Sequence, residues 1–500
     1  GHGLSPTAAG RPTHPARLVP QMTRFGRVSF ALPTAALTIL AIGLYTAVGV
    51  GQERVATDIN WRIRKEAISN SQIMSSLHWL TDVYGPRLTG SPNLEAAGRW
   101  AIDQLAAWGL TNEHLEPFDF GHAGWSNQRL SVHLVAPVTD ALVVEALAWT
   151  PGTEGPVRAE VYHFHLPERP TATELDACLT NVRSDVRGKV VLVGESAEIG
   201  VTMTGRARRR EDADLIRQFA VRRVPQSSER RERADRSASN SGTPLSRREI
   251  EARVTVFLVE AGAVARVNDA GRDHGQIRAF QNRTYDIEQS VPTIVMRNED
   301  YGRIVRLITY GSGPVELELD IVNWTHPEGR TVYNAIAELP GTDLADEVIM
   351  LGGHLDSWHA ATGATDNAIG VAVMMEAARI IAALGIEPRR TIRVALWGGE
   401  EQGLLGSQAY VKEHFGTVEI PTPQHAKFGG YFNIDAGTGR ARGAQVFGPF
   451  EAGAVLRDVL APFRDLGIMG ARTTTSRRRG GSDHTSFNEV GLPGISMQQD

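Results

Sequence analysis

The sequence predicts an α/β fold with a mixed, largely parallel central sheet, joined to a second module rich in β-strand. Two observations carry this. From Thr331 onward, short unbroken apolar runs alternate with helix-length segments, the texture of strands that helices bury on both faces. Between residues 131 and 325, short β-like runs are instead separated by polar stretches. Five hundred residues also exceed what one hydrophobic core usually serves.

Taken in order, residues 1–50 form an N-terminal extension. Arg24 and Arg27 precede an apolar run over 28–50 with small residues near Ala47 and Gly49, and the chain turns polar at Gln52-Glu53-Arg54. This pattern reads as a signal peptide; at about 20 residues it is also long enough for a membrane anchor. The expected location is therefore exported (periplasmic or secreted) or anchored, and Met22, just before the basic residues, is a candidate start. Residues 51–130 read as mainly helical, with Tyr84–Ser91 as a loop and a helix over Ala96–Leu110 closed by Gly109.

In block 131–325 the strand candidates are Leu142–Leu147, Lys189–Gly194, Val291–Met296 and Val315–Ile321. In the last, Val315, Leu317, Leu319 and Ile321 alternate with acidic residues, as in a half-buried strand. The arginine-dense segment 206–242 is interleaved with Glu211, Asp212, Asp214, Glu229, Glu232 and Asp235, which favours a solvated insertion over a nucleic-acid patch. In block 326–500, Val348–Leu351, Ile392–Trp397 and Tyr431–Ile434 read as buried strands, and Ala368–Leu384 as a helix closed by Gly385.

Composition narrows the chemistry. Hydrophobic content of 42% and charged content of 22% are ordinary for a globular enzyme, and a net charge of −5 gives no reason to expect nucleic acid. Cys178 is the only cysteine, so a bound metal must be held by His, Asp and Glu.

Four clusters in the last block carry such residues: His354 with Asp356, Asp366, Glu400 with Glu401, and Asp435. Each follows a strand or opens a helix, and in open α/β sheets ligands gather at the carboxyl ends of strands. Asp356, two residues beyond His354, is placed to orient the imidazole. Asp366 alone reads as a helix N-cap. Adjacent buried carboxylates at Glu400 and Glu401 would repel without a cation; one suits metal ligation and the other general-base work. Jointly the set points to a divalent metal, with zinc favoured by the histidine.

The blocks Gly352–Trp358, Gly363–Asn367, Trp397–Ser407 and Ser482–Phe487 resemble, in order, the signatures of the M28 metallopeptidases, most closely the carboxypeptidase Q-like branch. Gly85–Ser91 and Val291–Met296 also fit that branch. The resemblance implies the three-layer zinc exopeptidase sandwich, with block 131–325 as an inserted protease-associated (PA) domain. It implies zinc held by His354, Asp366, Glu401 and Asp435, with Asp366 bridging two ions, Glu400 as catalytic base, and a cis peptide after Asp366. Asp483 and His484 would flank the site. The implied activity is hydrolysis of short peptides by a metal-bridging hydroxide, as aminopeptidase, carboxypeptidase or dipeptidase, with a homodimer as a further implication. The family's last zinc ligand, a histidine, has no counterpart before Asp500, so the second zinc site is expected to be incomplete and the chain truncated. That departure keeps two alternatives open, a one-zinc glutaminyl cyclase-like acyltransferase and a catalytically silent binding or receptor protein.

Overall fold

A computed structural model of the chain describes residues 57–500 apart from 206–208, 221–241, 312 and 436–438. The expected signal or anchor at 1–50 and most of the arginine-rich segment lie outside the described residues. No helix among the described residues is long and apolar enough to cross a membrane.

Sixteen strands among these residues form two eight-stranded sheets. In chain order they are β1 (Thr111–Asp119), β2 (Gly124–Ala136), β3 (Asp140–Ala141), β4 (Val144–Ala146), β5 (Val157–Phe164), β6 (Val190–Val193), β7 (Ala265–Asp269) and β8 (Thr293–Met296). They continue as β9 (Glu316–His326), β10 (Thr331–Leu339), β11 (Leu344–His354), β12 (Arg390–Trp397), β13 (Phe428–Asn433), β14 (Ala441–Phe447), β15 (Ala471–Thr474) and β16 (Gly494–Gln499). One sheet has the order β1-β10-β12-β11-β13-β16-β14-β15, the other β3-β2-β9-β5-β6-β7-β8-β4.

The first sheet is mixed: β12, β11, β13 and β16 run parallel, and β1 and β10 add antiparallel edges. Side chains one apart on a strand point to opposite faces. Accordingly Ala335, Ala337, Val394 and Leu396 join one core with the helices Pro92–Ala107 and Ile369–Ala383. Ile336, Ala395 and Trp397 join another core with Tyr410 and Phe487, from the helices Leu405–Phe415 and His484–Glu489. Helix, sheet and helix therefore make three layers, and continuous apolar strands follow because both faces are covered.

Two expectations are corrected here. Within residues 51–130, expected to be mainly helical, 111–119 and 124–130 are strand, the second running on to Ala136. β1 buries little beyond Phe118, and its pairing with β10 rather than its own pattern makes it a strand. Block 131–325 also contains the helices Ala172–Val186, Asp212–Phe219, Arg247–Ala261 and Asn298–Thr309. Strands β5, β6, β7 and β8 run parallel, and parallel neighbours need long crossovers; Ala172–Val186 and Arg247–Ala261 supply two of them.

Candidate metal centre

The parallel strands β11, β12 and β13 end side by side, and their ends bring His354, Glu400, Glu401 and Asp435 to one place. His354 is the last residue of β11 and is buried. Its Nε2 lies 3.1 Å from Asp366 Oδ1 and 3.4 Å from Asp435 Oδ1. The other ring nitrogen, Nδ1, lies 3.0 Å from the main-chain carbonyl of Asp356. That bond makes Nδ1 a donor and turns Nε2 toward the carboxylates.

The Asp356 carboxylate differs from expectation. At 3.7 Å from Nδ1 it is beyond hydrogen-bond reach, so its main chain, not its side chain, orients the imidazole. The carboxylate instead accepts from the backbone N–H groups of Glu400 and Glu401, both at 3.1 Å, and from Thr89 Oγ1 at 3.1 Å. It anchors the turn that carries the two glutamates.

Asp366 is no N-cap. Its φ of −124° and ψ of 91° are non-helical, and no side-chain cap bond is made there. The helix Ile369–Ala383 starts three residues later. The Asp366–Asn367 peptide is cis, and Asn367 Nδ2 donates to the Ile434 carbonyl at 2.8 Å, tying this loop to the residue before Asp435.

The electrostatics describe a carboxylate cluster in want of a cation. Burial is the main force pushing the Glu400 carboxyl up to about 9; Asp483, Asp356 and Asp435 add to it against the pull of His354. Burial likewise pushes Glu401 up to about 8 and Asp483 up to about 7. Burial opposes charge on His354 too, but Asp356, Asp366 and Asp435 outweigh it and hold the imidazole well above its ordinary range. Glu401 Oε1, both Asp483 oxygens and His484 Nδ1 are buried with no hydrogen-bond partner. His354, Asp366 and Glu401 can each offer a ligand atom within 4.8 Å of the others. This donor set fits a divalent cation, which would satisfy the orphaned oxygen and neutralise the cluster.

Asp435 and His484 influence each other's charge, and burial pushes His484 down to about 4, leaving a neutral imidazole beside the cluster. Sequence reading singled out all eight of these residues but missed their supports. Arg87 and Thr89 reach the site from the N-terminal loop, and the only sequence signal was the Gly85–Ser91 block itself. A second group, His163, His165 and Glu195, also gathers three possible ligand atoms. There His163 Nε2 is engaged by the Gly194 carbonyl at 2.9 Å, and the exposed His165 Nδ1 and Glu195 carboxylate contact each other.

Residues 334–500 match peptidase family M28. Carboxypeptidase Q of Mus musculus is 26% identical over 422 residues, spanning 84% of this chain and 76% of that protein. Carboxypeptidase Q of Homo sapiens is 27% identical over 423 residues, spanning 84% and 75%. Among solved structures, a peptidase M28 precursor from Shewanella amazonensis SB2B superposes with a TM-score of 0.59 at 24% identity, covering 89% of this chain and 87% of that one. This last likeness shows the fold.

Proposed function

We propose that the chain is a zinc metallo-exopeptidase of the M28 type hydrolysing terminal peptide bonds of short peptides, with Glu400 as its general base. The carrying observation is the convergence of His354, Asp366, Glu401 and Asp435 at the strand ends with Glu400 among them. Those four residues would hold the metal, with Asp366 close enough to His354 to serve a shared position. Zinc bound there supplies a Lewis acid for the scissile carbonyl and lowers the pKa of water.

The remaining work belongs to the chain. Glu400 accepts a proton from the attacking water as oxygen bonds to the carbonyl carbon. It then delivers that proton to the leaving nitrogen as the C–N bond breaks, so that acid and amine leave and Glu400 is regenerated. Its backbone N–H bond to Asp356 Oδ1 holds it in place between the two transfers. His354 donates Nδ1–H to the Asp356 carbonyl, which holds the ring with Nε2 toward the position a metal would take. The His484 imidazole, kept uncharged by burial, leaves the cluster's negative charge available to the metal.

Glu400→Gln keeps shape and hydrogen bonding but removes the base. Turnover of a panel of free, N-blocked and C-blocked dipeptides is expected to fall by about 10²–10⁴-fold while zinc content by elemental analysis is unchanged. Full turnover in the variant would reject Glu400 as base, and the blocking pattern in the parent reports which end is cleaved.

A further inference from the structure

The segment Gly85–Ser91 has no part in the chemistry above, yet its Arg87 is fully buried. Among the described residues the guanidinium makes no direct ion pair and donates only to main-chain carbonyls. Nε reaches Leu355 at 2.7 Å, Nη1 reaches Thr362 at 2.9 Å and Leu80, and Nη2 reaches Gly363 at 3.1 Å. Its own main chain pairs with Ser357 in both directions, at 3.1 Å to Oγ and 3.0 Å from the amide. Leu355 follows His354 directly, and Gly363 lies three residues before Asp366. One rigid fork therefore grips both ends of the loop joining those two residues.

Burying a cation is costly, and an apolar side chain of similar volume usually stabilises a fold as well or better. Four carbonyl acceptors spread over three segments match the planar guanidinium, not a point charge. The loop is shaped around it. A Cβ added at Gly363, whose φ is +66°, would meet Ser357 Cβ at 2.4 Å and Arg87 Nη2 at 2.9 Å. Thr89, two residues on, bonds the Asp356 carboxylate that carries the Glu400–Glu401 turn.

We propose that Arg87 is a positioning residue for the metal centre: by clamping Leu355, Thr362 and Gly363 it sets the separation of His354 and Asp366. This rests on the metal reading above. Arg87 touches neither substrate nor metal, so its effect must pass through metal affinity and kcat.

The test compares Arg87→Lys with the parent full-length protein. Lysine keeps the charge but cannot hold three segments at once. The zinc dissociation constant, by competition with a chromophoric chelator, is expected to weaken about tenfold or more, and kcat to fall with it while KM moves less than about twofold. The melting temperature of the chelated protein separates this from simple destabilisation. If the folded lysine variant binds zinc with the parent's affinity, or loses affinity only in proportion to a lowered melting temperature, the clamp is overturned. If Arg87→Lys does not fold, Gly363→Ala keeps the guanidinium but drives a Cβ against its Nη2 at 2.9 Å; weaker zinc binding is then expected and unchanged affinity overturns the proposal. A parent protein that binds no zinc would instead reject the metal reading, so the two failures are distinct.

Discussion

His359 shows how a single residue outside the chemistry can set the acid limit of the protein. It is carried on the loop that leads to Asp366, and its Nε2 donates to the Ala146 carbonyl of β4 at 2.6 Å. Its ring meets Trp125 edge-on at 5.2 Å, and Nδ1 is buried without a partner. Burial pushes its pKa down from 6.5 to about 4, against the smaller effect of the Ala146 bond. Below pH 6.5 the unfolded chain takes up a proton that the folded chain refuses until about pH 4. Stability therefore falls as pH drops through that window, by on the order of 3 kcal/mol at its foot. In urea titrations, the midpoint at pH 4.5 minus the midpoint at pH 7 is expected to be larger in His359→Gln than in the parent; an equal difference in variant and parent would refute the assignment. Nothing in the sequence around His359 announces this, because burial by Trp125 is a tertiary fact. His354, Glu400 and Glu401 were legible because charged residues directly after apolar strands are anomalous on their own.

At the level of elements, the strands that hold the site read well from the sequence. Val348–Leu351, Ile392–Trp397 and Tyr431–Ile434 fall on β11, β12 and β13, and the helix expected over Ala368–Leu384 is Ile369–Ala383. Strands covered on both faces leave an unbroken apolar signal, which the edge strand β1 lacks. What the sequence could not show is how these elements are pinned to one another. Trp397 Nε1 of β12 donates to Tyr431 Oη of β13 at 2.6 Å, Tyr431 Oη donates to Asn433 Oδ1 at 2.6 Å, and Asn433 Nδ2 donates to Ser482 Oγ at 2.8 Å. This buried relay ties two strand ends to the segment bearing Asp483 and His484. Tyr431→Phe orphans the indole N–H and the Asn433 carbonyl oxygen, at about 1–3 kcal/mol for each. Chemical denaturation should show a loss of at least about 2 kcal/mol. Retained stability would mean that water or a new partner replaces the hydroxyl.

For the molecule as a whole, the acidic cluster makes stability depend on pH and metal together. Glu400 rises from 4.5 to about 9 and Glu401 from 4.5 to about 8, both mainly through burial, and Asp483 rises from 3.8 to about 7 for the same reason. Raised carboxyl pKa values mean that the folded chain binds more protons than the unfolded one between those limits. The stability they contribute is whole below about pH 4 and is lost as pH climbs toward 9, the reverse of His359. Above pH 6.5 the His359 effect is spent, and the raised carboxyls act in the same direction as the raised His354. A bound divalent cation favours the ionised carboxylates and cancels the carboxyl effect. After chelation, the melting temperature is therefore expected to fall steadily from pH 6.5 to 8.5, while zinc-loaded protein stays level and the stabilisation by zinc grows with pH. Glu401→Gln should flatten the descent of the chelated protein, because the amide has no charge to desolvate. A chelated protein whose melting temperature holds level or rises over that range would show that the cluster solvates its carboxylates without a cation. The metal reading would then lose its electrostatic basis, even with the ligand geometry intact.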